Sequence, residues 1–222
     1  MTAISENLRR IRMELGAQCR LLVVSKYRQV GEIMQAYEAG QRLFAENRVQ
    51  ALLERREALP ADIEWHLIGH LQRNKVKYIA PFIAMIHAVD SPELLLEISR
   101  QALKHERSIP CLLQVHVAME ETKFGFSREE LLDFCNSFQP EDYPGVNICG
   151  LMAMASNTDD EALVSGEFTR VKQLFDTLRA GIFAHNPDFR ELSIGMSSDY
   201  RIALQHGSTM VRIGSAVFGC CN

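Results

Sequence analysis

Eight short apolar runs, each followed by a segment with helical periodicity, constrain the fold of this chain more than any other feature. The runs are Leu21–Ser25, Leu43–Glu46, Ile63–Ile68, Ile83–Val89, Cys111–Val117, Val146–Leu151, Leu192–Ile194 and Met210–Ile213. Several are apolar throughout, as parallel strands covered on both faces must be. Helices are predicted over Val30–Ala39, Asn47–Leu59, Gln72–Ile79, Pro92–Arg107, Asp160–Phe183, Ser198–Gln205 and Ser215–Phe218. A further helix opens at Ser127, which with Glu130 reads as a capping box. Strict alternation of this kind means parallel α/β. Eight units favour a closed (β/α)8 TIM barrel over an open sheet. Residues 2–16 place Ile4, Leu8, Ile11 and Leu15 on one face, which predicts an N-terminal helical extension. No linker or repeat interrupts the series, so one domain is expected over residues 1–222.

Composition narrows the partners. The chain is 47% hydrophobic and 23% charged, with net charge −4 and both signs interspersed. No basic stripe is present, so nucleic acid is not an expected partner. No apolar run is long enough to cross a bilayer, so no membrane partner is expected either. The N-terminus is charged and lacks the apolar core of a signal peptide, and a cytoplasmic location is expected. The six cysteines are scattered without a Cys-x-x-Cys pair, which favours reduced thiols over a disulfide framework. Cys220 and Cys221 have no His or further Cys nearby in sequence, so no metal site is expected.

In a barrel of this type the chemistry sits where strands end. Here the first strand ends at Lys26, the second at Glu46 and Asn47, and the third at Gly69, His70 and Gln72. The sixth ends at Met152, the seventh at Gly195 to Ser198, and the eighth at Arg212, Gly214 and Ser215. A lysine whose stem lies among apolar side chains loses hydration of its charged form, and its neutral amine can form a Schiff base with a carbonyl. The alternative for Lys26 is a side chain that snorkels to solvent. Ser197, Ser198, Gly214 and Ser215 read either as ordinary helix caps or as a phosphate site, where small residues let backbone N–H groups approach an anion. Both sets face the same mouth as Lys26, which favours phosphate. A phosphate site beside a Schiff-base lysine suggests pyridoxal 5'-phosphate (PLP). Arg212 against the pyridine nitrogen would keep that nitrogen unprotonated, because guanidinium does not give up its proton.

Longer motifs carry a resemblance. They are Val24-Ser25-Lys26, Glu46-Asn47-Arg48-Val49-Gln50 and the run Trp65 to Lys75. They continue with Glu121 to Gly125, Gly150 to Ala153, Gly195-Met196-Ser197 and Gly207 to Gly219. With these, nearly the whole chain resembles the YggS/PROSC family of pyridoxal phosphate homeostasis proteins. It is similar, more distantly, to the N-terminal barrel of alanine racemase. The resemblance implies an intracellular PLP-binding protein without catalytic turnover. Lys26 would be the Schiff-base lysine, Asn47 a neighbour of the ring, and Arg212 the partner of the ring nitrogen. Ser197, Gly214 and Ser215 would cradle the phosphate, and Met152 would line the pocket. Lys123 matches a family lysine near the mouth. Ala45, His116, Ser198 and Ser215 depart from the usual residues, without removing a cofactor contact. Trp65 and His66 are expected on opposite faces of their strand, with His70 a candidate for the pocket.

Two other functions compete. An amino-acid racemase needs acid/base groups on both faces of the ring. In alanine racemase the second is a tyrosine from an additional domain of the partner subunit, and this chain is expected to lack that domain. Among its own tyrosines, Tyr27 is nearest the lysine in sequence, but neighbours on a strand point apart. An aldolase-type barrel enzyme using Lys26 is the third reading. The binder is favoured, as a monomer, with apo PLP-dependent enzymes as possible recipients.

Overall fold

The computed structural model describes residues 2–118 and 124–219. Its eight strands are β1 (Arg20–Val24), β2 (Leu43–Glu46), β3 (Glu64–Leu67), β4 (Met85–Val89), β5 (Ile109–His116), β6 (Val146–Met154), β7 (Glu191–Ser193) and β8 (Met210–Ile213). Every neighbouring pair is parallel, and β8 returns to pair with β1, so the sheet closes into a barrel in sequence order. The helices are α1 (Ala3–Leu15), α2 (Val30–Glu38), α3 (Val49–Ala58), α4 (Val76–Ile79), α5 (Pro92–Leu103), α6 (Arg128–Ser137), α7 (Glu161–Ala180), α8 (Tyr200–Gln205) and α9 (Ser215–Phe218). The expected (β/α)8 architecture and the N-terminal helix are both present.

Local signals explain the helix ends. The Thr2 hydroxyl accepts from the Ser5 N–H and opens α1, and Gly16 at φ 63° closes it. Ser127 and Glu130 form the capping box of α6, each side chain accepting from the other's backbone N–H. The α1 stripe of Ile4, Leu8, Ile11 and Leu15 is buried. That helix packs on α2 and α9, and Asn7 Nδ2 donates to the Val217 carbonyl at 3.0 Å. Burying such aliphatic side chains stabilises by about 1.5–3 kcal/mol each.

Two apolar layers result from strand alternation. The larger lies between strands and helices and contains Phe44, Trp65, Phe168 and Phe189. The smaller fills the barrel interior with Leu22, Val24, Ala45, Met85, Ala88, Leu112, Cys149, Met152 and Met210. Trp65 therefore faces the helices. His66 pairs in register with inward Ala45 and faces the interior, as strand alternation predicted for this pair.

Some boundaries differ from expectation. β1 stops at Val24, because Ser25 to Arg28 form a turn closed by the Arg28 N–H on the Ser25 carbonyl at 3.0 Å. β6 runs on to Met154, so Met152 lies inside a strand and not at its end. Asp199, not Ser198, stands at the N-terminus of α8. Cys19, Cys111, Cys135 and Cys149 are free and buried. Burial pushes the Cys135 thiol up to about 12 and the Cys149 thiol up to about 11. Lys123, Cys220 and Cys221 lie outside the described residues.

Candidate cofactor site at the barrel mouth

The C-terminal ends of parallel strands share one face of a closed barrel, so every strand-end candidate meets there. The first surprise is Lys26. It lies two residues past β1, in the turn, and is exposed. The expectation of a stem buried among apolar side chains is corrected: the turn lifts the residue out of the strand. Tyr27 is in the left-handed region at φ 65°, and its ring centroid is 6.0 Å from Lys26 Nζ. The two side chains are therefore neighbours, contrary to the strand-based expectation that they point apart.

Beneath the lysine is a buried carboxylate. Ser25 Oγ donates to Glu46 Oε1 at 2.7 Å, and Arg55 Nε is 3.9 Å from the same oxygen. Burial pushes the Glu46 carboxyl up, opposed by the Ser25 hydrogen bond and the charges of Arg55 and Lys26. Asn47, half-buried, follows at once on β2. A Cβ on Gly69 would lie 2.2 Å from the Asn47 carbonyl oxygen, so only glycine lets the β3 end close over Asn47.

On the other side of the mouth, Arg212 is 3% exposed. Its Nη1 donates to the Ser193 carbonyl at 2.6 Å and to Ser193 Oγ at 2.8 Å, and its Nη2 donates to the Ala153 carbonyl at 2.8 Å. Burial lowers its pKa to about 10, while Asp199 works in the opposite direction. It stays a cation at neutral pH. Its Nε–H is left without an acceptor among the described residues. Met152 is fully buried on β6, next to Ala153, and forms apolar wall.

The ends of β7 and β8 are joined by one hydroxyl. Ser197 Oγ accepts from the backbone N–H groups of Gly214 and Ala216, each at 3.3 Å. The N–H groups of Ser197, Ser198 and Ser215 have no acceptor among the described residues. A Cβ on Gly214 would be 3.1 Å from the Val24 carbonyl oxygen, which brings this cradle against the end of β1, next to the lysine turn. Donors converging in a loop and at a helix start suit a phosphate. An uncommitted guanidinium N–H suits a ring nitrogen. The donor set thus fits PLP on Ser197, Gly214, Ser215, Arg212, Met152, Asn47 and Lys26.

Three residues of the region carried no assigned role in the sequence reading: Ser193, His87 and Asp199. Asp199 Oδ1 accepts the Met196 N–H at 2.5 Å and shapes the β7 turn. A serine and a histidine inside otherwise apolar strands were the available signal. His70 is partly exposed, with Nδ1 2.8 Å from Asp90 Oδ2 and its ring stacked on Phe124 at 3.9 Å. With Asn47, Gln72 and Lys75 it lines an open groove of about 540 Å³ beside the mouth. No group of three or more metal-ligating side chains occurs among the described residues.

Comparison with known proteins identifies the family and agrees with the fold. A profile of the alanine racemase N-terminal domain matches residues 1–222. The pyridoxal phosphate homeostasis protein of Pasteurella multocida is 37% identical over 207 residues, 90% of this chain and 85% of that protein. That of Aquifex aeolicus is 36% identical over 206 residues, 92% of this chain and 88% of that one. PipY of Synechococcus elongatus, solved with PLP bound, superposes with a TM-score of 0.87 at 33% identity, covering 97% of this chain and all of PipY. An alanine racemase from Bartonella henselae, at 18% identity and TM-score 0.73, shares the fold over 98% of this chain and 58% of its own. The chain belongs to the pyridoxal phosphate homeostasis protein family, within the alanine racemase N-terminal domain barrels.

Proposed function

We propose that this protein binds PLP reversibly and serves its intracellular homeostasis, without catalytic turnover, as a single barrel domain over residues 1–222. The observation that carries the reading is Arg212. A buried cation tied to β6 and β7, with its Nε–H and one Nη2–H uncommitted among the described residues, stands beside the Ser197–Gly214 cradle on the lysine side of the mouth. Names of relatives support it, and so does PLP in the PipY structure.

When bound, PLP supplies an aldehyde that captures amines and a ring that withdraws electrons. Lys26 is the amine of the covalent anchor. Glu46, behind Ser25, supplies negative potential near that amine. The Ser197 hydroxyl and the N–H groups of Ser197, Ser198 and Ser215 would take the phosphate oxygens, with Gly214 letting the backbone come close. Arg212, through its Nε–H, would hold the ring nitrogen and, because guanidinium keeps its proton, would leave that nitrogen unprotonated. Met152 would line the ring's pocket, and Asn47 would neighbour the ring. Exposure of Lys26 lets water and incoming amines reach the anchor, which suits release to apo enzymes. A cytoplasmic monomer accords with this role. No helix among the described residues is long and apolar enough to cross a membrane.

Mixing with PLP is expected to yield a bound absorbance band, and borohydride reduction to leave a pyridoxyl group on the Lys26 peptide by mass spectrometry. Lys26→Ala should lose the covalent label while keeping weaker, phosphate-dependent binding. Labelling elsewhere, or none in the parent protein, rejects the assignment. One observation favours the racemase alternative: Tyr27 shares the turn of Lys26, with its ring centroid 6.0 Å from Nζ. Racemisation of alanine at about 1 per second or faster would replace the binder reading with that one.

A further inference from the structure

Behind Arg212 runs a line of buried polar side chains that the binding reading does not use. Ser193 Oγ is 3.2 Å from His87 Nδ1, and His87 Nε2 is 2.9 Å from His66 Nδ1. All three residues are buried: Ser193 and His87 completely, His66 at 2% exposure. They come from β7, β4 and β3, so the line crosses the barrel interior from Arg212 on β8.

A proton order for this line starts at its charged end. Guanidinium only donates, so Ser193 Oγ must accept from Arg212. The hydroxyl proton is then free to go one way, and the partner within reach is His87 Nδ1. A His87 ring that accepts at Nδ1 carries its own proton on Nε2. It donates that proton to His66 Nδ1, and His66 in turn carries its proton on Nε2. The whole line is neutral beyond Arg212, and every bond points away from the cation. Burial holds both rings uncharged, His66 at about 3 and His87 well below the usual range, and the nearby charge of Arg212 adds to this at His87.

We propose that Ser193, His87 and His66 are positioning residues: a one-way hydrogen-bond line that fixes the Arg212 guanidinium in the orientation that presents its Nε–H to the mouth. A hydroxyl that donates onward is a better acceptor, because hydrogen bonds in series polarise one another. The line thereby compensates a buried cation without a carboxylate in contact. A carboxylate there would accept in place of the hydroxyl and draw charge away from the donor that meets the ring nitrogen. The proposal rests on the cofactor reading for its consequence, but not for the proton order, which belongs to the protein alone.

Two measurements decide it. In uniformly 15N-labelled protein without PLP, long-range proton–nitrogen correlation at pH 7 is expected to show His66 and His87 both unprotonated at Nδ1 and protonated at Nε2. A proton on Nδ1 of either ring overturns the line. In PLP titrations, Ser193→Ala is expected to weaken binding about tenfold, the equivalent of losing a hydrogen bond to a charged group. It should also move the absorbance maximum of bound PLP, a signature that mere loss of stability would not move. Unchanged affinity and band in a folded Ser193→Ala protein overturn the positioning role. Failure of the parent protein to bind PLP rejects the cofactor reading instead, and the nitrogen shifts still decide the line.

Discussion

At the scale of single residues, Arg212 does two jobs that pull in different directions. Its three hydrogen bonds tie β8 to β6 and β7, and two of its five N–H groups, Nε–H among them, are held in reserve. The planar fork makes this possible, since a lysine at the same place offers a point charge on a flexible stem. Arg212→Lys should therefore cost about 2–3 kcal/mol by urea denaturation, because a buried charge would keep fewer of its partners. It should also weaken PLP binding. An unchanged urea midpoint would mean that the guanidinium bonds are not what holds this corner. Lys26 differs in kind. It is exposed, and its replacement by Ala is expected to leave stability within about 0.5 kcal/mol while removing the covalent label. Stability and binding are thus separable at the two residues.

At the scale of elements, the barrel closes only where backbones approach within glycine distance. Gly150 on β6 sits at φ 149°, and a Cβ there would be 1.8 Å from the Glu191 carbonyl oxygen on β7. Next to it the β5–β6 register shifts between Cys111 and Leu112. Gly150→Ala should destabilise by about 3 kcal/mol or more, as backbone strain adds to a steric clash. Gly31 in α2 has open space where its Cβ would be. Gly31→Ala should stabilise by about 0.5–1 kcal/mol, from helix propensity alone. Thermal melts of the two variants check the contrast: equal shifts would refute the close approach at β6. The same strand carries Met152 and the Ala153 carbonyl that Arg212 uses, so a distorted β6 should also impair PLP binding.

At the scale of the whole molecule, the interior holds a polar line that must stay neutral. His66 is lowered from 6.5 to about 3, and His87 is lowered too, in both cases chiefly by burial. The unfolded chain protonates both rings below about 6.5, whereas the folded chain does not. Their contribution is therefore complete above pH 6.5 and is lost as pH falls below it, through about 3 for His66. Glu46, raised by burial, acts with the opposite sign: it favours the fold below about 4.5, and that contribution is lost as pH rises. Urea midpoints at pH 7.5 and 5.0 should fall markedly for the parent protein and less for the double variant His66→Gln, His87→Gln. Parallel declines would place the acid sensitivity elsewhere.

The sequence by itself determined the architecture, because eight apolar runs with helical segments between them leave few ways to bury their faces other than a closed parallel barrel. It also determined which residues reach the mouth, since strand ends in such a barrel share one face. Ser197, Ser198, Gly214 and Ser215 were legible as either helix caps or a phosphate cradle, and their placement at one mouth with Lys26 favoured the cradle. Tertiary structure decided the rest. That Lys26 stands exposed in a turn, beside Tyr27, depends on where β1 lets go, which a run of apolar residues ending in polar ones marks only to within a residue or two. That Ser193, His87, His66 and Arg212 form one line depends on barrel closure. They lie on β7, β4, β3 and β8, up to 146 positions apart between His66 and Arg212, and only the inward alternation of four strands puts their polar atoms within hydrogen-bond reach.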